Sequence, residues 1–501
     1  MQARLAVVWL IIGTGLLRLA WCATLEASND ESYHWLYTKH PAMSYFDHPP
    51  MTMVIEQVGL TLCGGWVHPL SLRLGFVLLF AGSTWIMYRW AAGLFDEQAG
   101  FWAAAMLNLS GYFTAFGGTF ALPDSPFLFF ALLTFWRSSV AVASGKLVDW
   151  FWVGLGFAGA MASKYHAVLL PTGVVLLALV RKDQRKLLLQ PGPYLAVIMG
   201  FVGFLPVLLW NMQNDWASFR FQGGRASDGV TPFLHEGPLK WLTGPMLYLL
   251  PWVWFWLVVE LVRGWRSWRS TTDAVRLLLC QSIVPLLFFF VISGLSRSVL
   301  LHWPLVGFLP LYPLFGRNIP RLKARWPRLF PWLVGSWIVL LVACAGFVLL
   351  QARVGVVQFP TKAKDPSNDI AGWESVEREL REQGYLNKPN SFFFTNLWYD
   401  SGQLAFAIRC AVPVACFHAF DARGFAFWSK PEDYLGKMGY YLVVEEVSEA
   451  ETLKEYAGYF KSMKPVHEFW MTKLGKPFRP VRLYECVELH TPYPFTNKKL
   501  K

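Results

Sequence analysis

Two polar stretches hold the residues best suited to chemistry. The first is Asn29-Asp30-Glu31-Ser32-Tyr33-His34-Trp35, and the second is Ser44-Tyr45-Phe46-Asp47-His48-Pro49-Pro50-Met51. They follow an apolar segment, residues 5–25, long enough to cross a bilayer. Carboxylates at a membrane surface are expensive, and their presence points to work on a substrate that arrives from within the membrane. Adjacent carboxylates point in different directions. Asp30 can therefore face a hydroxyl or amine nucleophile as general base while Glu31 is tied to a neighbour. The competing reading is a helix starting at Glu31, with Asn29 or Asp30 as its cap. Tyr33, His34, Asp47 and His48 are candidate substrate contacts. Asp47 also suits a cap with Pro49 in the first helical turn.

Further along, Leu122-Pro123-Asp124-Ser125-Pro126 places Asp124 at a turn opening an apolar run, as a second acidic residue or as a cap. Lys164, Arg220, Arg225, Arg297 and His302 add positive charge near the ends of apolar runs. A phosphate leaving group needs fixed cations and donors of this kind. The bland alternative is snorkelling to lipid headgroups, which accounts for many such residues. Lys164 is the best candidate because apolar sequence flanks it on both sides. Asp30, Glu31, His34, Asp47 and His48 could also gather a divalent metal, although their spacing matches no specific ligand pattern.

The elements that must position these residues are membrane helices. The 501 residues are 54% hydrophobic and 16% charged, with mean hydropathy +0.35, whereas about a quarter of a soluble chain is charged. Candidate spans lie near 5–25, 70–90, 99–116, 124–142, 150–163, 166–180, 193–210, 241–262, 274–293, 302–316 and 330–350. This predicts a polytopic α-helical membrane protein of about 11 spans. The first segment then acts as a signal-anchor rather than a cleaved leader. Ser163-Lys164-Tyr165-His166 separates the fifth and sixth spans, since such residues fit a turn better than mid-membrane. The net charge of +12 comes from basic clusters between apolar runs, which fits loops facing anionic lipid rather than nucleic acid. Those clusters are residues 181–186, then Arg263, Arg266, Arg269 and Arg276, then Arg317, Arg321, Lys323, Arg325 and Arg328. All three fall on one side of the predicted topology, and the positive-inside rule makes that side cytoplasmic. The acidic and histidine-bearing stretches then collect on the outer face.

After residue 351 the apolar density falls. A helix is expected over 369–380 and another over 451–460, with strands at 391–395, 440–445, 466–470 and 481–487. The division is therefore a membrane domain over 1–351 and a soluble α/β domain over 352–501. The seven cysteines form no metal-type spacing. In an extracytoplasmic C-terminal domain a Cys410–Cys416 disulfide is open. No Gly-rich phosphate loop is present, so no nucleotide is implied.

Taken together, Asp30-Glu31, Tyr45-Phe46-Asp47-His48-Pro49-Pro50, Ala121-Leu122-Pro123-Asp124-Ser125-Pro126 and Ser163-Lys164-Tyr165 resemble the bacterial GT-C glycosyltransferases of the dolichyl-phosphate-mannose–protein mannosyltransferase superfamily. The likeness is to the branch related to the lipid A aminoarabinose transferase. Gly372-Trp373 and Ser401-Gly402-Gln403-Leu404-Ala405-Phe406 resemble that family's outer domain. The resemblance implies a polyprenyl-phosphate sugar donor and inverting transfer, on the extracytoplasmic face of the inner membrane, to a lipid A-type lipid, polysaccharide or protein. It makes Asp30 the catalytic base with Glu31 beside it, Asp124 a second acidic residue at the cavity, and Lys164 a ligand of the donor phosphate. Arg297 and His302 join the phosphate ligands by placement alone. A metal is not ruled in by any mapped ligand. The rival class is a lipid or solute transporter, for which paired internal repeats would be the signature, and none is seen.

Overall fold

The computed structural model describes residues 2–227, 236–296, 299–359, 365–444 and 449–495. Arg297, Glu445 and the side chain of Arg225 lie outside the described residues. The chain forms two compact units. The first comprises residues 1–20, 43–62 and 73–342, and the second residues 21–42, 63–72 and 343–501.

Sixteen helices run from α1 to α16: α1 (Gln2–Cys22), α2 (Asn29–Lys39), α3 (Met51–Leu62), α4 (Pro69–Leu94), α5 (Glu97–Asn108), α6 (Gly111–Ala115), α7 (Asp124–Ser144), α8 (Leu147–Met161), α9 (Thr172–Val180), α10 (Pro191–Gln213), α11 (Ala217–Ser227), α12 (Glu236–Leu249), α13 (Pro251–Arg266), α14 (Asp273–Leu295), α15 (Tyr312–Arg325) and α16 (Leu329–Val354). Among the described residues α1, α4, α7, α10, α14 and α16 are long and apolar enough to cross a membrane, and α12 with α13 forms a bent pair. The chain is a multi-pass membrane protein. α16 buries almost none of its surface, as expected of a helix facing lipid.

Several expected spans are shorter or broken. The run at 241–262 bends by 116° between α12 and α13. The break is at Leu250, which adopts φ 73° immediately before Pro251. A proline disfavours helical geometry in the residue before it. The run at 302–316 begins as a 3-10 segment, Trp303–Leu311, with Pro304 and Pro310 inside it, before α15. The run at 166–180 likewise begins as a 3-10 segment, Tyr165–Leu169. In the first unit α8 packs between α7 and α10. At Gly203 a Cβ would lie 2.5 Å from the Ala158 carbonyl oxygen, so only glycine permits that approach of α10 to α8. Gly316 plays the same part for α15 on α5, where a Cβ would lie 2.4 Å from the Ala99 carbonyl oxygen.

The second unit is built on a five-stranded mixed sheet in the order β2-β1-β3-β5-β4. Its strands are β1 (Ser391–Thr395), β2 (Val414–Cys416), β3 (Met438–Val443), β4 (Phe460–Lys473) and β5 (Lys476–Leu489). β1 is parallel to β2 and β3, while β3–β5 and β5–β4 are antiparallel. The β4–β5 hairpin turns at Leu474-Gly475, both at positive φ, as a tight two-residue loop requires. α17 (Trp373–Glu382) and α18 (Trp398–Ala407) flank β1 in sequence, and Trp373, Val376, Leu380 and Leu404 share one core with Phe393, Leu442 and Leu483. The strands expected at 466–470 and 481–487 are the centres of these longer strands. Cys410 and Cys416 are free thiols, Cys416 buried and Cys410 exposed, so the disulfide left open by the sequence is not formed.

Candidate active site

In the first unit, chemistry concentrates where α7 starts, α8 ends and the 3-10 segment Trp303–Leu311 begins. Asp124 is the first residue of α7, but its carboxylate makes no cap hydrogen bond. It accepts instead from Lys164 Nζ at 2.7 Å and from the Tyr112 hydroxyl on α6. The cap reading of Asp124 is thereby replaced by a side-chain cluster. The Lys164 and Asp124 side chains are only 9% and 16% exposed, so each depends on the other for compensation. The position at the start of a helix adds a favourable dipole for the anion.

Lys164 is held in a turn just beyond α8, where its backbone N–H donates to the Ala160 carbonyl (3.0 Å). His302 stacks on Tyr112, with centroids 5.3 Å apart and rings 18° from parallel. Tyr248 meets both rings edge-on. His166 sits against Phe289 and Trp303 and within electrostatic reach of Lys164, His302, Asp124 and His48. Asp124, Tyr112, Lys164, His166 and His302 line one cavity, closed by Trp303 and aliphatic side chains. One lysine and two imidazoles thus face a single carboxylate. This set can receive an anionic group and present it with several donors.

The loop carrying Asp47 and His48 belongs to the same unit. α3 begins at Met51, so neither Asp47 as cap nor Pro49 in the first turn describes this loop. It is pinned to α11, where Ser218 Oγ donates to the Tyr45 carbonyl (3.0 Å) and Gln222 Nε2 to the Asp47 carbonyl (2.9 Å). Asp47 is buried and His48 partly so. Arg220 turns back to the Asp215 carbonyl.

Asp30, Glu31, Tyr33 and His34 lie on α2, in the second unit. The cap of α2 is Ser28, and the helix starts at Asn29 rather than Glu31. Glu31 closes a capping box: its carboxylate accepts the Ser28 N–H at 2.8 Å. Asp30 is exposed and has no side-chain hydrogen bond among the described residues. Tyr33 is fully buried among Tyr37, Trp398, Phe425 and Trp428, and its hydroxyl accepts the Gly424 N–H at 2.9 Å. The motif Ser401-Gly402-Gln403 has a direct use here. Gly402 lets α18 approach Tyr33, where a Cβ would stand 3.1 Å from the Tyr33 backbone. Gln403 meets Ser32 (2.8 Å), Asn29 (3.1 Å) and the carbonyls of Ala27 and Asp369.

Reasoning from the sequence passed over Tyr112 and His166 as site residues. His166 was visible beside Lys164. Nothing marked Tyr112 in a chain with 18 tyrosines and 40 phenylalanines. It also missed Arg18 and Arg73, both buried in the first unit. Arg18 donates to Asn108 (3.2 Å) and lies over the Phe80 ring, and Arg73 lies over Phe120.

Comparison with known proteins fits this architecture. The dolichyl-phosphate-mannose-protein mannosyltransferase family matches residues 47–210. The undecaprenyl phosphate-alpha-4-amino-4-deoxy-L-arabinose arabinosyl transferase of Erwinia tasmaniensis is 26% identical over 67% of this chain and 61% of its own length. That of Pectobacterium carotovorum is 26% identical over 64% and 59%. The chain spans roughly half to three-fifths of the length of the curated relatives it matches. Among solved structures, ArnT from Cupriavidus metallidurans bound to undecaprenyl phosphate is similar with TM-score 0.62 and 14% identity, covering 95% of this chain and 97% of that one. The archaeal oligosaccharyltransferase AglB from Archaeoglobus fulgidus, in complex with an inhibitory peptide and a dolichol-phosphate, is similar with TM-score 0.52 and 10% identity, covering 98% and 77%. The chain is therefore a multi-pass membrane protein whose fold is similar to that of these solved structures.

Proposed function

We propose that this protein is an integral-membrane inverting glycosyltransferase that moves a sugar from a polyprenyl-phosphate donor to a hydroxyl of an envelope acceptor. The observation carrying the reading is the largely enclosed group of Lys164, His166 and His302 around Asp124, lining one cavity of the first unit. The relatives named for undecaprenyl-phosphate-linked aminoarabinose transfer support the same donor class. The basic clusters, read by the positive-inside rule, support a site on the periplasmic side. Residues 352–501 form the extracytoplasmic domain in this reading.

In the reaction the acceptor oxygen attacks the anomeric carbon as the bond to the phosphate oxygen breaks, inverting that carbon. Negative charge grows on the departing polyprenyl phosphate. Lys164 meets it as a fixed cation, with His166 and His302 as further donors. Asp124, itself held by the Tyr112 hydroxyl, fixes the lysine so that little reorganisation is needed. Asp30 is assigned as the base that takes the acceptor proton, on the strength of its motif and its uncommitted carboxylate. His34, Asp47 and His48 are assigned to substrate contact, while the buried setting of Tyr33 supports packing.

The test is release of polyprenyl phosphate from a labelled polyprenyl-phosphate sugar by the purified full chain, with acceptor lipids supplied. Stoichiometric release and a glycosylated acceptor are expected. Movement of the intact lipid-sugar across vesicles without cleavage would sink the reading in favour of a transporter.

A further inference from the structure

We infer that the first unit carries a separate binding site for the phosphate-bearing headgroup of an anionic phospholipid, between the ends of α13 and α15. A cavity of about 410 Å³ lies there, lined by Arg263, Arg317, Arg321 and Arg325 with Asn318 and Glu260. It lies far from the candidate active site along the chain. His302 opens the 3-10 segment that leads into α15, and Arg317–Arg325 are the end of that helix. At helical rises the two are on the order of 20 Å apart.

The arginines there differ from the other basic residues on the same side of the predicted topology. Arg181 is paired with Asp183 and Asp273. Arg276 is satisfied by Asp273 (2.6 Å) and by the Trp268 and Arg269 carbonyls. Around the cavity, by contrast, four arginines face one carboxylate. Glu260 is buried, and its oxygens are already engaged by Asn318 Nδ2 (2.6 Å) and Arg263 (3.4 Å). Among the described residues Arg317, Arg321 and Arg325 make no ion pair within 4 Å, and Arg317 feels Glu260 only at longer range. Arg317 instead rests over the Phe95 ring, and Arg325 over Trp326. The cavity carries more positive charge than its one carboxylate can offset and draws its donors from two helices, with the guanidinium forks that suit phosphate oxygens.

A lipid rather than a free anion is the occupant because of what surrounds it. Next to Arg263 in sequence, Val262 is exposed and Trp265 stacks on Trp268 (4.8 Å), and a few residues after Arg325 Leu329 and Trp332 are exposed as well. Indoles at helix ends mark the membrane interface. Basic pockets between membrane helices at the cytoplasmic leaflet take anionic headgroups, at about 1 kcal/mol per basic residue.

The experiment titrates the purified full chain with phosphatidylglycerol, phosphatidylcholine or inorganic phosphate and reads bound lipid by native mass spectrometry and Tm. Phosphatidylglycerol should bind and raise Tm where phosphatidylcholine does not. Arg317→Gln/Arg321→Gln/Arg325→Gln should weaken it on the order of 100-fold, and Arg321→Gln alone roughly fivefold. Arg266→Gln/Arg269→Gln, outside the cavity, should leave binding near wild type. The inference fails if phosphatidylcholine binds equally, if the cavity variants bind as wild type, or if the control pair weakens binding as much. Displacement of the lipid by millimolar phosphate would overturn the lipid as occupant. None of these readouts involves turnover, so failure of the catalytic reading would leave the result intact.

Discussion

The two units use buried carboxylates in opposite ways. In the second unit Glu26 accepts the N–H groups of Gly372 (2.9 Å), Trp373 (2.8 Å) and Glu374 (3.3 Å) at the start of α17. Glu31 closes the cap of α2. Both anions satisfy backbone donors that a helix terminus leaves orphaned. In the first unit Asp124, also at a helix start, ignores that backbone and binds Lys164 and Tyr112 at a cavity. The partner, rather than the burial, separates the two uses. A carboxylate held by peptide N–H groups fixes the fold, whereas one holding a movable cation at a cavity arranges chemistry.

Asp30→Asn against Glu31→Gln breaks this distinction most sharply if it is wrong. Loss of a general base lowers turnover by about 10²–10⁴-fold, and Asp30→Asn should fall in that range with folding intact. Glu31→Gln should cost stability and leave turnover within a few fold, because its carboxylate serves the cap. Sugar-transfer rates of the two purified variants decide the matter, and equal losses would end the separation between neighbours.

Lys164→Gln comes next. Removing one charge-stabilising donor costs about 10²–10³ in turnover. Because Asp124 would then be buried without its cation, a fall in Tm should accompany it. Lys164→Gln/Asp124→Asn removes both charges. It should recover much of the Tm but none of the rate, since the rate depends on a cation at the leaving group. Recovery of rate in the double variant would make the pair structural.

These tests concern residues that were unevenly legible in the sequence. Asp124 and Lys164 stood out because a charge inside an apolar run is rarely idle. His302 was found by placement, whereas Tyr112 reaches Asp124 only through the turn between α6 and α7, which no periodicity reports. The membrane class and the strands of the second unit were readable from composition and alternation. The bend at Leu250 was signalled by Pro251, yet the run around it has the hydropathy of an unbroken span. β2, with three residues, and the joining of α2 to α18 depend on contacts across more than 370 residues. Pattern within a window cannot carry such pairings.

The third test uses pH on the second unit. Burial and the nearby Glu374 carboxylate push Glu26 up to about 7, against the pull of the three N–H groups. The folded form therefore holds its proton more tightly than the unfolded chain, whose value is 4.5. The resulting stability is full below about pH 4.5 and is lost as pH rises to about 7, a change of at most about 3 kcal/mol. Glu26→Gln should flatten this slope in denaturant titrations of the full chain followed at the β-sheet. An unchanged slope would assign the titration elsewhere.

The smallest expected effect is at Ser28. Its hydroxyl accepts the Glu31 N–H at 3.4 Å, a long bond, while Glu31 returns a short one to the Ser28 N–H. Ser28→Ala therefore removes the weaker half of the box and should cost about 0.5–1 kcal/mol, the low end for a cap. Asp30 sits two residues on and shares no bond with Ser28, so transfer should be unaffected once the variant is folded. If turnover instead fell tenfold with so small a change in stability, the cap would be positioning the base. The backbone-serving carboxylates of the second unit would then belong to the chemistry after all.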